Sequence, residues 1–194
     1  MITLGVTGGV GMGKSATDAL LRQRGVPVVD TDLLARELVE PGQPALGEIV
    51  QLFGAEMIGA DGILRRKELA RIVFRDATAR QQLERILHPR IQRLWQDQFA
   101  AWRAEGRGLA VVVIPLLFET NVQSELDATL CVACSAAVQR ERLRARGWTT
   151  EQIEQRIGAQ WPIERKIALA DYVIWTEAGF DVHAQQLERI LGSL

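Results

Sequence analysis

The sequence predicts an α/β fold in which five parallel strands form a sheet with helices on both faces. Short apolar runs alternate along the chain with helical segments, which is the pattern of a parallel sheet. The chain has 194 residues, the size of one domain. Hydrophobic residues make up 47% of it and charged residues 24%, which is typical of a protein that buries a full core.

Five segments have the length and apolar character of buried strands. The first, Ile2 to Thr7, runs into a group of glycines, and the second is Val26 to Val29. Gly108 to Ile114, Ala128 to Ala133 and Tyr172 to Trp175 follow. The third of the five is the most apolar, which favours a place at the centre of the sheet.

Helices are expected between these strands and after the last of them. One runs from about Lys14 to Arg24 and is closed by glycine, the residue that helix ends prefer. Another, from about Asp181 to Leu191, ends the fold.

Two helical stretches are too long to be single crossovers. The first, roughly 32–105, is punctuated by turn-forming pairs, the last of them His88-Pro89. The second, 140–170, contains Thr149-Thr150-Glu151-Gln152, a spacing that starts helices. We therefore expect one domain, residues 1–194, that carries a helical lobe at about 33–106 and a lid at about 140–170.

Charge and hydropathy exclude several classes of protein. Lys and Arg number 23 against 24 Asp and Glu, so the net charge of -1 argues against a nucleic-acid partner. No apolar run reaches the roughly 18–20 residues that cross a bilayer, so no membrane partner is expected. Met1 to Thr7 lacks the features of a signal peptide, which predicts a cytoplasmic protein. The composition permits a monomer or a small homo-oligomer.

The two cysteines, Cys131 and Cys134, have the C-x-x-C spacing of a redox motif or of one half of a zinc site. Positions three apart on a strand point to opposite faces, and structural zinc needs four ligands. The only histidines, His88 and His183, lie far off in the sequence. The cysteines are therefore interpreted as core thiols.

The strongest chemical signal is the segment Gly8 to Ser15, which satisfies the phosphate-loop pattern G-x-x-x-x-G-K-[ST]. Its glycines allow positive φ and a close approach of amide groups to phosphate oxygens, and the helix that follows favours an anion. Lys14 is expected to bridge the β- and γ-phosphates, and the Ser15 hydroxyl to bind Mg²⁺. The residues expected to bind nucleotide in and after this loop are Gly8, Gly9, Gly11, Met12, Gly13, Lys14, Ser15 and Ala16.

The remaining motifs narrow the class of phosphate-binding protein. The N-K-x-D motif of GTPases is absent, and the third strand leads to Glu119 instead of the usual Walker B aspartate. Remodelling ATPases and transporters need a longer chain. A small-molecule kinase is what remains.

Two aspartates follow the second strand, where ligands of open parallel sheets bind. Asp32 is expected to accept a proton from the attacking hydroxyl, whereas Asp30 is interpreted as structural, since aspartate often caps a helix. Arg142 and Arg146 share a helix face and either stabilise a transferring phosphoryl group or belong to a solvated surface. His88 by itself favours a core residue at a helix end.

Several ordered blocks make the chain resemble the dephospho-CoA kinases. They are the loop from Gly5 to Ser15, Val29 to Arg36, Val39 to Gly42, Leu87 to Pro89, Ile114 to Glu119 and Ala170 to Ile174. The resemblance covers nearly the whole chain. It implies a sheet of the P-loop NTPase type with a helical lobe that binds CoA and a lid. It also implies transfer of the γ-phosphate of ATP to the ribose 3′-hydroxyl of dephospho-CoA, with Mg²⁺.

The resemblance also implies roles for single residues. Asp32 becomes the base, while Lys14, Arg142 and Arg146 act on the phosphates. The residues that it places at the acceptor are Arg36, His88, Pro115, Leu116 and Glu119.

The chain departs from the usual residues of that family at several positions: Ala16, Thr17, Gly147, Trp161, Pro162 and Thr176. These departures concern the adenine side and the lid. Two alternatives stay open, namely another nucleotide or metabolite kinase and a nucleotide-binding regulator without catalysis.

Overall fold

The structure, a computed structural model, describes all 194 residues and contains one five-stranded parallel sheet. The strands are β1 (Ile2–Gly8), β2 (Val28–Asp30), β3 (Leu109–Val113), β4 (Ala128–Ala133) and β5 (Tyr172–Trp175). The α/β class and all five strands predicted from the sequence are confirmed.

Nine α-helices connect and follow the strands. They are α1 (Lys14–Gln23), α2 (Thr31–Glu37), α3 (Pro44–Phe53), α4 (Arg66–Arg75), α5 (Ala77–Ala104), α6 (Ala136–Ala145), α7 (Thr150–Gly158), α8 (Ile163–Leu169) and α9 (Phe180–Leu191). The helix start predicted at Thr149 is confirmed, since its side chain and that of Gln152 form a reciprocal cap on α7.

The strand order across the sheet is β2-β3-β1-β4-β5, so β1 is the central strand. β1 pairs in parallel with β3 on one side and with β4 on the other, and β4 pairs in parallel with β5. The expectation that β3 occupies the centre is wrong. β3 is as apolar as a central strand because both of its faces are covered, and burial of the faces does not depend on central position.

Both faces of the sheet are covered by apolar packing. On one face, Leu4 and Val6 of β1 share a buried cluster with Leu20 of α1 and Leu187 of α9. On the other face, a Cβ at Gly5 would come within 2.6 Å of the Leu117 side chain, so glycine is needed for this close packing.

Two Thr–Asp pairs join neighbouring strands at the ends where the strands begin. The Asp127 carboxylate, just before β4, accepts hydrogen bonds from the Thr3 amide (2.8 Å) and hydroxyl (2.7 Å) of β1. The Asp171 carboxylate, just before β5, accepts the same two bonds from Thr129 of β4, at 2.8 Å and 2.7 Å. These pairs fix the register of three adjacent strands.

The chain divides into two compact units, one formed by Met1–Val29 with Ala100–Leu194 and the other by Asp30–Phe99. The second unit has its own apolar core, which includes Val39, Ile49 and Leu69. The break expected at His88-Pro89 is absent, because Pro89 lies inside the 28-residue helix α5. Proline at this position removes one helical hydrogen bond, the one that would run to the Arg85 carbonyl, and the helix continues on both sides of it.

Cys131 and Cys134 are both free and buried, which confirms their interpretation as core thiols. Burial raises the pKa of Cys131 to about 11. None of the helices combines the length and the apolar character that crossing a bilayer requires.

Candidate active site

The phosphate loop lies between the end of β1 and the start of α1, as the sequence predicts. Gly8, Gly11 and Gly13 have φ values of 147°, 76° and 110°, a range that side chains strongly disfavour. Gly13 is the residue before α1, and neither a capping side chain nor an acidic residue occupies the first turn of that helix. The start of α1 can therefore bind an anion at its backbone amide groups.

Close approaches on the sheet side show why the loop needs glycine. A Cβ at Gly8 would lie 2.2 Å from the backbone oxygen of Val132 in β4, and this oxygen cannot move without disturbing the sheet. A Cβ at Gly13 would lie 3.1 Å from Cγ2 of Thr176, beyond the end of β5. The loop is packed against the carboxyl ends of two other strands.

The Lys14 ammonium lies over the loop and donates to the carbonyl oxygens of Gly8 (2.8 Å) and Gly9 (3.0 Å). These contacts hold the positive charge of Lys14 against the backbone of the loop. The Ser15 side chain is exposed in the first turn of α1, and the Ala16 amide donates to the Gly13 carbonyl at 3.0 Å. Ala16 is half-buried.

Arg142 of α6 reaches the loop through Thr176. Its guanidinium donates to the Thr176 hydroxyl at 2.8 Å and to the Thr176 carbonyl, and the Thr176 hydroxyl donates to the Met12 carbonyl at 2.9 Å. Arg146 follows the end of α6 and is exposed. Arg142 is thus beside the loop, while Arg146 is exposed to solvent.

The segment after β3 lies next to the loop as well. The Pro115 carbonyl accepts hydrogen bonds from the Thr7 hydroxyl (3.2 Å) and from the ammonium of Lys166 in α8 (2.7 Å). Lys166 also forms a 2.7 Å ion pair with Oε1 of Glu119. Leu116 is half-buried, and its carbonyl accepts from the Thr120 hydroxyl at 2.8 Å.

Three side chains beside the loop did not stand out in the sequence: Gln139, Gln160 and Lys166. The Gln139 side-chain amide donates to the Val10 carbonyl at 2.8 Å, and the Val10 amide donates to Oε1 of Gln160 at 2.9 Å. Lys166 is one of only three lysines, and its side chain is fully buried. No local pattern marks these residues, because their partners lie 47 to 150 positions away.

In the second unit, Asp30 and Asp32 take different positions at the start of α2. The Asp30 carboxylate accepts a 2.8 Å hydrogen bond from the Asp32 amide, so Asp30 caps the helix, which confirms its structural role. Asp32 lies in the first turn of α2 and is exposed, and its carboxylate is not used as the cap.

Arg36 and His88 also belong to the second unit. Arg36 is exposed in the last turn of α2, and its carbonyl accepts from the Arg66 guanidinium at 3.2 Å. The expectation that His88 is a core residue at a helix end is wrong, since His88 is half-buried in the interior of α5. Burial lowers the pKa of its imidazole although the Glu84 carboxylate opposes the shift. His88 is therefore neutral near pH 7 and offers one hydrogen-bond donor and one acceptor.

The chain contains no group of three or more His, Cys, Asp or Glu side chains that could hold a metal ion. The Ser15 hydroxyl in the phosphate loop fits a different kind of site, in which Mg²⁺ binds mainly to substrate phosphates and water.

Comparison with known proteins gives one family. The sequence model of the dephospho-CoA kinase family matches residues 2–181. A dephospho-CoA kinase of Anaeromyxobacter dehalogenans is 44% identical over 195 residues, which cover 100% of this chain and 92% of the relative. One from Bacillus cereus is 39% identical, over 98% of this chain and 96% of the relative.

Solved structures share the fold. A Thermus thermophilus crystal structure is 34% identical with a TM-score of 0.84, over 100% of this chain and 97% of the other. The dephospho-CoA kinase from Campylobacter jejuni has a TM-score of 0.72 at 23% identity, over 98% and 96% of the two chains. The shikimate kinase from Bacteroides thetaiotaomicron, at 17% identity over 100% and 99%, has a TM-score of 0.52 and shares the fold alone.

Proposed function

Because the chain belongs to the dephospho-CoA kinase family, we propose that it transfers the γ-phosphoryl group of ATP to the ribose 3′-hydroxyl of dephospho-CoA. The products are coenzyme A and ADP. The observation that carries this proposal is the match of the family over residues 2–181, a range that contains a glycine loop with Lys14 folded over it. Loop and lysine together are what an ATP-dependent kinase needs.

The nucleotide phosphates bind to the loop backbone and to the first turn of α1. Its amide groups face the phosphates, and the loop residues involved are Gly8, Gly9, Gly11, Met12, Gly13, Lys14, Ser15 and Ala16. Lys14 exchanges its bonds to the Gly8 and Gly9 carbonyls for bonds to the β- and γ-phosphates. A charged donor to a phosphate oxygen makes a stronger bond than the same donor to a neutral carbonyl, which favours this exchange.

Ser15 is the residue that would hold Mg²⁺ at this site. Its exposed hydroxyl lies one position after Lys14, and the phosphate oxygens and water would complete the coordination. When bound, the ion neutralises part of the charge on the β- and γ-phosphates.

The acceptor is activated by Asp32 and oriented by its neighbours. Asp32 takes the proton of the 3′-hydroxyl as that oxygen bonds to the γ-phosphorus, and the bond from this phosphorus to the bridging oxygen of ADP breaks. Lys14, Arg142 and Arg146 stabilise the charge that spreads over the phosphoryl oxygens. Arg36, neutral His88, Pro115, Leu116 and Glu119 line the acceptor site, with residues 33–106 as the lobe that binds CoA.

Water must be kept away while the phosphoryl group moves. We infer that residues 140–170 close over the bound nucleotide as a lid, so that the phosphoryl group reaches the sugar and not the solvent. A cytoplasmic location, and a monomer or small homo-oligomer, belong to the same proposal.

The test is mass spectrometry of dephospho-CoA after incubation with the protein and Mg²⁺·ATP. We expect the gain of one phosphate on the 3′-oxygen, with a drop in rate of at least about 10²-fold in Lys14→Ala. The folded state of that variant should be intact, because the Lys14 side chain is only half-buried.

A panel of other acceptors accompanies this measurement. Phosphorylation of a nucleoside monophosphate or another metabolite in place of dephospho-CoA would contradict the acceptor assignment. Tight ATP binding with no phosphorylated product from any acceptor would contradict the proposed activity altogether.

A further inference from the structure

The peptide units around Val10, at the tip of the phosphate loop, are held from both sides by glutamine side chains. Gln139 of α6 donates to the Val10 carbonyl, and Gln160, between α7 and α8, accepts from the Val10 amide. Gln139 is 4% exposed, so its amide has little freedom to exchange this partner for water. Hydrogen bonds thus attach the tip of the loop to α6 and to the connection between α7 and α8.

Such an attachment matters because the loop itself is intrinsically flexible. Gly8, Gly9, Gly11 and Gly13 give this short segment more conformational freedom than any other residue type would, and binding a nucleotide removes that freedom. Side chains that fix the loop before the nucleotide arrives reduce the entropy lost on binding. Any residue that fixes the loop should therefore affect nucleotide affinity.

Gln160 is itself fixed by its neighbour in the sequence. The Trp161 amide donates to Oε1 of Glu119 at 2.9 Å, and the Arg165 guanidinium covers the Trp161 ring at 3.3 Å from its centroid. Oε1 of Glu119 also accepts the ion pair from Lys166. The backbone at residues 160–161 is thereby tied to the segment that follows β3.

The Lys166–Glu119 pair is buried at a cost that stability does not explain. Lys166 is fully buried, and Oε2 of Glu119 is buried without a hydrogen-bond partner. Removing charges from water often costs more than their attraction returns, so a buried ion pair is weak evidence for stabilisation. The contacts of this pair instead lead to the loop twice, through Trp161 and Gln160 to Val10, and through Pro115 to Thr7, which precedes Gly8.

We propose that Gln160 is a positioning residue that holds the phosphate loop ready for nucleotide, and that the buried Lys166–Glu119 pair keeps Gln160 in place. This inference rests on the proposed function, because it concerns the same nucleotide site. Neither Gln160 nor Lys166 touches the reacting atoms in this role; each acts through the loop backbone.

The first test compares Gln160→Met with Gln155→Met by titration calorimetry with Mg²⁺·ADP. Methionine keeps the length of the glutamine side chain but has no good acceptor for the Val10 amide. Gln155 lies on exposed α7, and its side-chain amide donates to Glu151, which makes it a matched control. We expect Gln160→Met to weaken ADP binding about fivefold, as the loss of one neutral hydrogen bond predicts, and Gln155→Met to leave it unchanged.

A KM measurement distinguishes positioning from general destabilisation. Gln160→Met should raise KM for ATP by the same factor while KM for dephospho-CoA stays within about twofold. Equal ADP affinities in Gln160→Met and the wild type, with unchanged KM for ATP, would overturn the inference. Absence of ADP binding by the wild type would instead count against the proposed function, so the two failures are distinguishable.

The second test asks whether Lys166 acts through Gln160. In a double-mutant cycle, Lys166→Met should also weaken ADP binding, and adding Gln160→Met to it should cost little more. If the two substitutions weaken ADP binding independently, so that their fold-changes multiply in the double variant, Lys166 does not act through Gln160. If Lys166→Met does not fold, as judged by circular dichroism, the comparison of Gln160→Met with Gln155→Met still decides whether Gln160 positions the loop.

Discussion

At the scale of single residues, Gly8 shows how the sheet constrains the phosphate loop. Its φ of 147° disfavours any side chain, and the Val132 carbonyl leaves no room for a Cβ. Gly25 at the end of α1 also has a positive φ, 71°, but nothing lies within 4 Å of the place of its Cβ. A side chain at Gly25 would thus carry only the cost of its backbone conformation, whereas a side chain at Gly8 would also clash with the sheet.

We expect Gly8→Ala to lower the free energy of unfolding by on the order of 3 kcal/mol and Gly25→Ala by about 1 kcal/mol. Both substitutions carry the backbone cost, and only Gly8→Ala adds a clash with the sheet. Urea denaturation of the two variants measures the difference. Equal losses would mean that β1 and β4 can separate at this point without cost.

Asp32 is the residue on which the proposed proton transfer depends. Asp32→Asn keeps the size and the place of the side chain but removes its basicity, so kcat should fall by about 10² to 10⁴-fold. ADP affinity should change little, because the proposed role of Asp32 concerns the hydroxyl of the acceptor and not the nucleotide. Steady-state kinetics with saturating dephospho-CoA checks this, and normal turnover would remove Asp32 from the mechanism.

At the scale of elements, the contact between α1 and α9 contains a buried titratable group. Nε2 of His183 in α9 lies 2.9 Å from the hydroxyl of Thr17 in α1, and His183 is 3% exposed. Burial, and then the charge of Arg142, lower the pKa of His183 below 6.5. The imidazole is thus neutral in the folded protein and becomes charged more readily in the unfolded chain.

Stability should therefore fall as the pH drops below about 6.5, since the unfolded state then binds more protons than the folded state. His183→Gln keeps a hydrogen-bonding side chain next to Thr17 but cannot titrate, so its stability should depend less on pH in this range. Urea denaturation at pH 7 and pH 5 measures both slopes. His88→Gln is measured alongside for comparison, because the pKa of the His88 imidazole is lowered as well. If the stability of His183→Gln depends on pH as strongly as that of the wild type, the assignment to His183 is contradicted.

The elements also show what sequence patterns can and cannot predict. Apolar runs bounded by turn residues locate β4 and β5 at their observed bounds, because both strands are short and fully specified by local composition. The order of strands is different: β1 and β3 have similar burial, so only long-range pairing decides which is central. The local preference of Pro89 predicts the end of a helix, because such preferences do not include the packing that keeps a long helix such as α5 continuous.

The same limit applies to the site. The loop from Gly8 to Ser15 was predictable because each of its residue types has a local backbone role. The hydrogen bond from Arg142 to Thr176 was not predictable, since it joins residues 34 positions apart whose types match no local motif.

At the scale of the whole molecule, the chain consists of two compact units. The lobe proposed to bind CoA belongs mainly to one of them, while the proposed acceptor residues Pro115, Leu116 and Glu119 belong to the other, together with the phosphate loop. Nucleotide is proposed to bind to the unit formed by Met1–Val29 and Ala100–Leu194, and CoA to a lobe that overlaps Asp30–Phe99. Amide hydrogen exchange can test each assignment separately, because a ligand that binds the folded state slows local opening.

We expect Mg²⁺·ADP alone to slow exchange in residues 8–17 and dephospho-CoA alone to slow exchange within 30–99. Coenzyme A itself has no free 3′-hydroxyl and should protect the same lobe. Its binding therefore serves as a control in which no phosphoryl group can be transferred. Protection by dephospho-CoA confined to residues outside 30–99 would show that this lobe does not bind the acceptor.

The Thr3–Asp127 and Thr129–Asp171 pairs have a consequence for how such a protein can diversify. Both lie where the strands begin, whereas the phosphate loop and the Pro115–Glu119 segment lie where strands end. Alignment of the strands is thus secured at the rim away from the chemistry. Residues at the opposite rim can therefore change without misaligning the strands beneath them.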